Sequence, residues 1–334
     1  MIMLVGGGGF LGLNTARYLL DNGEKEVLMV GRSGIRTPSF LASYANKQIK
    51  VGQGDILDLH FLYGLIREHN VDSIIYFIGG GGRRGLYHSI NSNVSGINGL
   101  LEAARINRMR RVSVVSSEAV YEPNRKHLPC TEDRDLPVDL PQGGVGAAKR
   151  ILEQICLSYA REYSLSIAIL RPPHIWGPRG EGDEGKPRPI MTEGEGIGGG
   201  GGIIDILFAN AVAGKVSEFP SPGMGQRGYV YVRDCAKGMA MVHLAPKLKH
   251  EIYNVSDGEL HNLRDFAKAI KEVIPKAQIM FPTLSAEREK QEALREYPTM
   301  PIDRIREDVG FTPDYNLSRA ARAYIDWLRK GEYN

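Results

Sequence analysis

The residues with the clearest chemical spacing in this sequence are three glycines, Gly6, Gly9 and Gly12, which follow an apolar run ending in Val5 and open a helical stretch through Phe10 and Leu11. Glycine at these positions permits a tight turn, close backbone approach to a pyrophosphate, and close packing of the next helix on the strand. The helix N-terminus then offers free N–H groups and the positive end of its dipole to the phosphates. Strand, glycines and helix in this order, at the head of a repeating strand–helix chain, make a dinucleotide-binding turn; the plain alternative is a glycine-rich turn without a ligand. At the end of the second apolar run, NAD binders place an Asp or Glu for the ribose 2′-hydroxyl. This chain has Val30-Gly31-Arg32-Ser33 there, with Arg36 close behind and no carboxylate. A guanidinium at Arg32 clamps a 2′-phosphate through charge-assisted hydrogen bonds. NADP is therefore the expected cofactor, with NAD the alternative and a solvated Arg32 the plain reading.

The elements that must position these groups follow from the hydrophobic pattern. Ile2–Val5, Val27–Val30, Ile49–Val51, Ser73–Ile78, Val112–Val115 and Ile167–Leu170 read as strands buried on both faces. Amphipathic stretches at Leu11–Asn22, Leu59–His69, Ser92–Asn107 and Gly146–Tyr163 lie between them. Repeated strand–helix–strand order with right-handed crossovers predicts an α/β fold, a doubly wound parallel sheet covered on both sides. The segment from Gly177 to Gly202, dense in Gly, Pro and Glu, cannot bury apolar surface and is expected to be a loop or a lid. Beyond it come a helix at Ile203–Ala213, strands at Gly228–Val232 and Ile252–Val255, and helices at Leu263–Val273 and Leu317–Arg329.

Composition narrows the function classes. The 334 residues are 42% hydrophobic and 24% charged, enough for two fused lobes with a sizeable core. Net charge is only +3 and the basic residues are scattered, which argues against a nucleic-acid partner. Cys130, Cys156 and Cys235 share no metal-binding spacing, so neither a disulfide framework nor a metal site is expected, and a reducing, cytoplasmic setting is. Met1 runs directly into an apolar strand and no apolar run approaches 18 residues, so neither secretion nor a membrane span is expected.

Further motifs occur in a fixed order: Gly54-Asp55-Ile56, Asn93-Val94-x-Gly96, Val115-Ser116-Ser117-x-Ala119-Val120-Tyr121, Leu170-Arg171-Pro172, and Trp176-Gly177-Pro178. Arg227–Val232 with Asp234, Ile252–Val255 and Asp308–Phe311 complete the series. With the glycine turn, this order resembles the extended short-chain dehydrogenase/reductase superfamily, the NAD-dependent epimerase/dehydratase group, over nearly the whole chain. The resemblance implies a Rossmann-type cofactor domain of residues 1–171 plus 228–250. A smaller C-terminal α/β substrate lobe would comprise 172–227 plus 251–334, with substrate in the cleft between them. It also implies cofactor contacts from Asp55, Ile56, Ile78, Gly79 and Pro172, with Lys149 on the nicotinamide ribose.

Catalysis in that group rests on a Ser/Thr–Tyr–Lys arrangement, the Tyr and Lys four residues apart so that both face the cofactor. Lys149 matches the lysine, but Val145 stands in the tyrosine's place, and Glu118 occupies the hydroxyl position of the serine motif. With Gly143 and Gly144 alongside, this reads as a remodelled site. Glu118, tuned by burial and by Lys149, is the expected proton-transfer base; alternatively it pairs with Lys149 and only holds the loop. His174, Tyr87, His88 and Tyr121 flank the same cleft. Arg227 matches a family arginine that holds an anionic substrate group, and Arg83 and Arg84 add positive charge near the cofactor's reactive end. A phosphorylated or nucleotide-sugar-like small molecule is the expected substrate. Three functions stay open: an epimerase, reductase or lyase with altered acid/base machinery; a catalytically silent dinucleotide-binding regulatory or structural protein; and a reductase in which Tyr87 or Tyr121 supplies the missing phenol. The helices Ser92–Asn107 and Gly146–Tyr163, with Ile151, Ile155 and Tyr159 at four-residue spacing, match the pair that builds the family's homodimer.

Overall fold

The computed structural model describes residues 1–32, 34–35, 37–79, 87, 90–122, 129–137, 144–178, 202–219, 223, 225–293 and 299–330. Arg36, Arg83, Arg84, His88, Gly143 and nearly all of the Gly177–Gly202 segment lie outside the described residues.

The first half alternates β1 (Ile2–Val5), α1 (Phe10–Asp21), β2 (Val27–Gly31), β3 (Ile49–Gln53), α2 (Leu59–Glu68), β4 (Ser73–Tyr76), α3 (Ile97–Ile106), β5 (Arg111–Val115), α4 (Gly144–Tyr163) and β6 (Ile167–Arg171). β7 (His174–Trp176), α5 (Gly202–Val212), β8 (Ser217–Glu218), β9 (Arg227–Tyr231), α6 (Val232–Leu244) and β10 (Ile252–Asn254) follow. β11 (Leu260–His261), α7 (Leu263–Val273), β12 (Ile279–Met280), α8 (Ala286–Ala293), α9 (Asp303–Val309) and α10 (Leu317–Lys330) end the chain.

The seven-stranded sheet runs β10-β6-β5-β4-β1-β2-β3 with every pairing parallel. Strands such as Ile2–Val5 and Ser73–Tyr76 are buried along their whole length because helices cover both faces, which is why they read as unbroken apolar runs. The order reverses between β1 and β4, and that switch point is where ligands bind in doubly wound sheets. The fold is thus the Rossmann-type α/β architecture expected from the pattern.

Local chemistry sets the helix ends. The Asp58 carboxylate accepts from the Phe61 N–H and starts α2, and Asn262 with Asp265 forms a reciprocal capping box on α7. Buried Arg111, on β5, donates to the carbonyls of Val242, His243 and Ala245 and so satisfies the C-terminal end of α6. A second sheet, β11-β9-β7, and an aromatic core of Trp176, Phe208, Phe266, Tyr324 and Trp327 build the other lobe.

β9 lies in the second sheet, pairing with β7, while α6 packs against α1 and the main sheet, and β10 is that sheet's seventh strand. The chain crosses between lobes through α6 and again through β10, a path that apolar patterning does not reveal. The helix expected over Ser92–Asn107 begins as a π-helical turn, Ser92–Gly96, before α3.

Candidate active site

The phosphate turn is built of backbone. Gly6 has φ +78°, a left-handed conformation open to glycine, and its N–H donates to Val30 O at 2.8 Å. A Cβ on Gly12 would stand 2.6 Å from both Cα and O of Gly7, and one on Gly7 would stand 2.8 Å from Leu4 O. Only glycine lets α1 start this close to the strand. Gly9 caps α1 with no side-chain hydrogen bond and no acid in the first turn, so the positive end of the helix dipole is left for an anion. A Cβ on Gly6 would meet Ile78 N at 3.4 Å, which places the turn beside the end of β4 at the switch point. This cradle fits the pyrophosphate of a dinucleotide. Leu11 is buried in the core beneath it and Phe10 is half-buried.

Arg32 is exposed directly after β2. The Asp55 carboxylate accepts from the Leu57 N–H at 3.0 Å, bending the chain after β3, and Ile56 is buried against Gly96. The Ile56 side chain therefore belongs to the core, not to a ligand surface. Gly79 is exposed beyond β4.

Lys149 projects from the second turn of α4 and is buried. Its ammonium donates to Ile78 O at 2.8 Å and to Asn93 Oδ1 at 3.0 Å, and burial pushes its pKa down to about 7. Asn93 sits on the π-helical turn, whose wider winding is recurrent at functional sites. The expected Lys149–Glu118 pair is not formed; the carboxylate that acts on Lys149 is Glu153. Glu118 opens a short 3-10 turn, Glu118–Tyr121, after β5, and its Oε1 lies 2.6 Å from His174 Nδ1. Its backbone N–H donates to Pro172 O at 3.0 Å, tying the turn to the chain just before β7. His174 pairs with Tyr229 in the β7–β9 register, and the two rings meet edge-on with centroids 5.7 Å apart. Tyr229 is buried, and burial raises its pKa, with Arg227 opposing and Glu118 reinforcing the shift.

Tyr121 does not belong to this group. It is buried, donates to Asn254 Oδ1 at 2.9 Å and accepts from Arg171 Nη1 at 3.0 Å, and burial pushes its pKa up to about 12. It is part of an internal network with Glu153, which binds Arg171 at 2.6 and 3.0 Å, and neither a substrate contact nor a spare phenol. Tyr87 is 76% exposed, Arg227 is exposed at the start of β9, and Pro172 is buried. Asn93 and Tyr229 are two site residues whose roles the sequence motifs do not indicate. For Tyr229 the signal was present in strand alternation; for Asn93, a turn of π-helix cannot be told from α-helix by periodicity.

The model of the NAD-dependent epimerase/dehydratase family matches residues 2–256. A UDP-glucose 4-epimerase from Cyamopsis tetragonoloba is 25% identical to this chain, over 99% of this chain and 96% of that relative. Among solved structures, the UDP-glucose 4-epimerase of Thermotoga maritima with UDP-glucose superposes with a TM-score of 0.76, at 20% identity and 99% coverage of both chains. The dTDP-glucose 4,6-dehydratase of Bacillus anthracis in complex with NAD superposes at 0.78, with 19% identity, over 99% of this chain and 97% of that one. The match over most of the chain, with the glycine cradle at the switch point and the buried lysine beside it, shows that this chain belongs to the NAD-dependent epimerase/dehydratase family.

Proposed function

We propose that this protein is a dinucleotide-dependent enzyme of the epimerase/dehydratase type that acts on a nucleotide-sugar-like, anionic substrate with altered acid/base machinery. One observation carries the reading. Where the family's tyrosine would stand is Val145, which has no proton to exchange, while a carboxylate and an imidazole, Glu118 and His174, meet at 2.6 Å beyond the ends of neighbouring strands β5 and β6. When bound, the dinucleotide supplies a reversible hydride acceptor. The chain's own residues divide the rest. The glycine cradle holds the pyrophosphate, Lys149 donates to the nicotinamide ribose, and Glu118 with His174 handles the substrate proton. Arg227, and Arg83 outside the described residues, offer charge to an anionic group. Arg32 favours NADP over NAD, since no carboxylate follows β2 to take a ribose 2′-hydroxyl. Val145 also favours a second reading, a dinucleotide-binding protein without turnover.

The same experiment separates the two. The purified protein is supplied with NADP or NAD and with a panel of UDP- and dTDP-sugars, and products are followed by NMR. Formation of an epimer or a dehydrated sugar supports the enzyme. Tight dinucleotide binding with an unchanged panel supports the silent binder.

A further inference from the structure

The contact between Glu118 and His174 contains more than a replacement for a lost hydroxyl. Glu118 Oε1 lies 2.6 Å from His174 Nδ1, so a carboxylate faces one ring nitrogen and fixes a proton on it. The other nitrogen, Nε2, then carries the lone pair. Among the described residues Nε2 makes no hydrogen bond, and the His174 side chain is 38% exposed against 25% for Glu118. The ring cannot turn freely. Its residue is held in register with Tyr229 on β9, the Tyr229 ring packs edge-on against it, and the Glu118 backbone is anchored to Pro172 O two residues before His174. The imidazole is the more exposed of the two, and its Nε2 is the ring nitrogen left for a ligand.

We infer that His174 is the residue that exchanges a proton with substrate through Nε2, and that Glu118 is a positioning residue that selects its tautomer and stabilises the imidazolium. This rests on the function proposed above. The step balances. With a bound oxidised dinucleotide to take up the hydride, the substrate hydroxyl proton would pass to His174 Nε2 as the C=O bond forms. The imidazolium then holds one proton on each nitrogen, the Nδ1 proton facing the Glu118 carboxylate. Return of the hydride to carbon and of the Nε2 proton to oxygen restores both partners. The titratable groups against His174 are Glu118 from the 3-10 turn and Tyr229 from β9.

The test begins without substrate. In the intact protein labelled with 15N-histidine, neutral His174 should carry its proton on Nδ1, and Glu118→Ala should remove that preference. A proton on Nε2 in the parent, or an unchanged tautomer in the variant, overturns the inference. With a turned-over sugar from the panel, His174→Gln should lower kcat about 100-fold or more, the usual cost of a positioned acid/base. Glu118→Gln should lower kcat less than His174→Gln does, with KM nearly unchanged. The double variant should be no slower than His174→Gln alone, since groups acting as a unit are not additive. A His174→Gln enzyme at parental kcat, or independent multiplicative losses that make Glu118 a base in its own right, refutes it. A parent that turns over no sugar defeats the underlying function instead, and is plainly different from an active His174→Gln variant.

Discussion

Val145 and Lys149 stand one helical turn apart on α4, and valine offers the ammonium no phenol. Without a phenol beside it, Lys149 is held by Ile78 O and Asn93 Oδ1 in a buried site that pushes its pKa down to about 7. The sign of the stability effect follows. Between pH 7 and the ordinary lysine value of 10.5 the unfolded chain keeps the proton and the folded chain does not, so stability rises with pH across that window. Below pH 7 the full cost of burying the charge is present. Lys149→Met should therefore gain stability relative to the parent in the ligand-free protein at pH 6, with the advantage shrinking by pH 9 in urea titrations; a pH-independent difference would contradict the burial of the charge. Arg32→Ala should remove most of any preference for NADP over NAD, a charge-assisted contact being worth about 1.5–3 kcal/mol, or roughly ten- to a hundredfold in affinity. Calorimetry that finds equal affinities in the parent refutes the 2′-phosphate role. At this scale the glycine turn was legible because its partners are sequence neighbours. The Glu118–His174 pair was not, because 56 residues separate its members and only the folded sheet brings them together. Tyr121 shows the converse: its place after β5 was readable, but the direction of its ring, toward Arg171 and Asn254, was not.

Among the elements, α4 joins the site to the core. One face carries Lys149 to Ile78 O and Asn93, and one turn later Glu153 forms a buried ion pair with Arg171 of β6, with Ser116 Oγ and Tyr121 completing the network. Removing one member leaves a buried charge uncompensated, so Glu153→Ala should cost about 3–5 kcal/mol, read as a fall in the urea midpoint. A loss below about 1 kcal/mol would show that Arg171 finds another partner or water. The strands and most helices were legible from their period because a parallel sheet covered on both faces demands unbroken apolar runs. Residues 92–96 were not, since one wide turn hardly disturbs a 3.6-residue pattern, yet that turn places Asn93 against Lys149.

For the whole molecule, the fold carries two consequences beyond one chain's cleft. Ile151 is 39% exposed on α4, and a groove of about 500 Å³ runs along Asn98, Ile151, Gln154, Ile155, Ser158 and Tyr159 between α3 and α4. That apolar stripe suits a two-fold contact with a second copy. Light scattering at micromolar concentration should give twice the 36.9 kDa chain mass, and Ile151→Glu should shift it to the monomer; a monomeric parent contradicts the contact. The second consequence concerns how the lobes share the chain. β9 brings Tyr229 against His174 from the smaller sheet, while Glu118 reaches His174 from the turn after β5 of the larger one. The most direct test of that arrangement is a crystal structure of the protein with NADP and a nucleotide sugar from the panel. It should show the hydroxyl on the carbon facing nicotinamide C4 within hydrogen-bond reach of His174 Nε2, with Glu118 behind the ring and Val145 making no polar contact. A sugar whose reacting hydroxyl instead meets Tyr87, or a cleft in which no sugar approaches the nicotinamide, would contradict it.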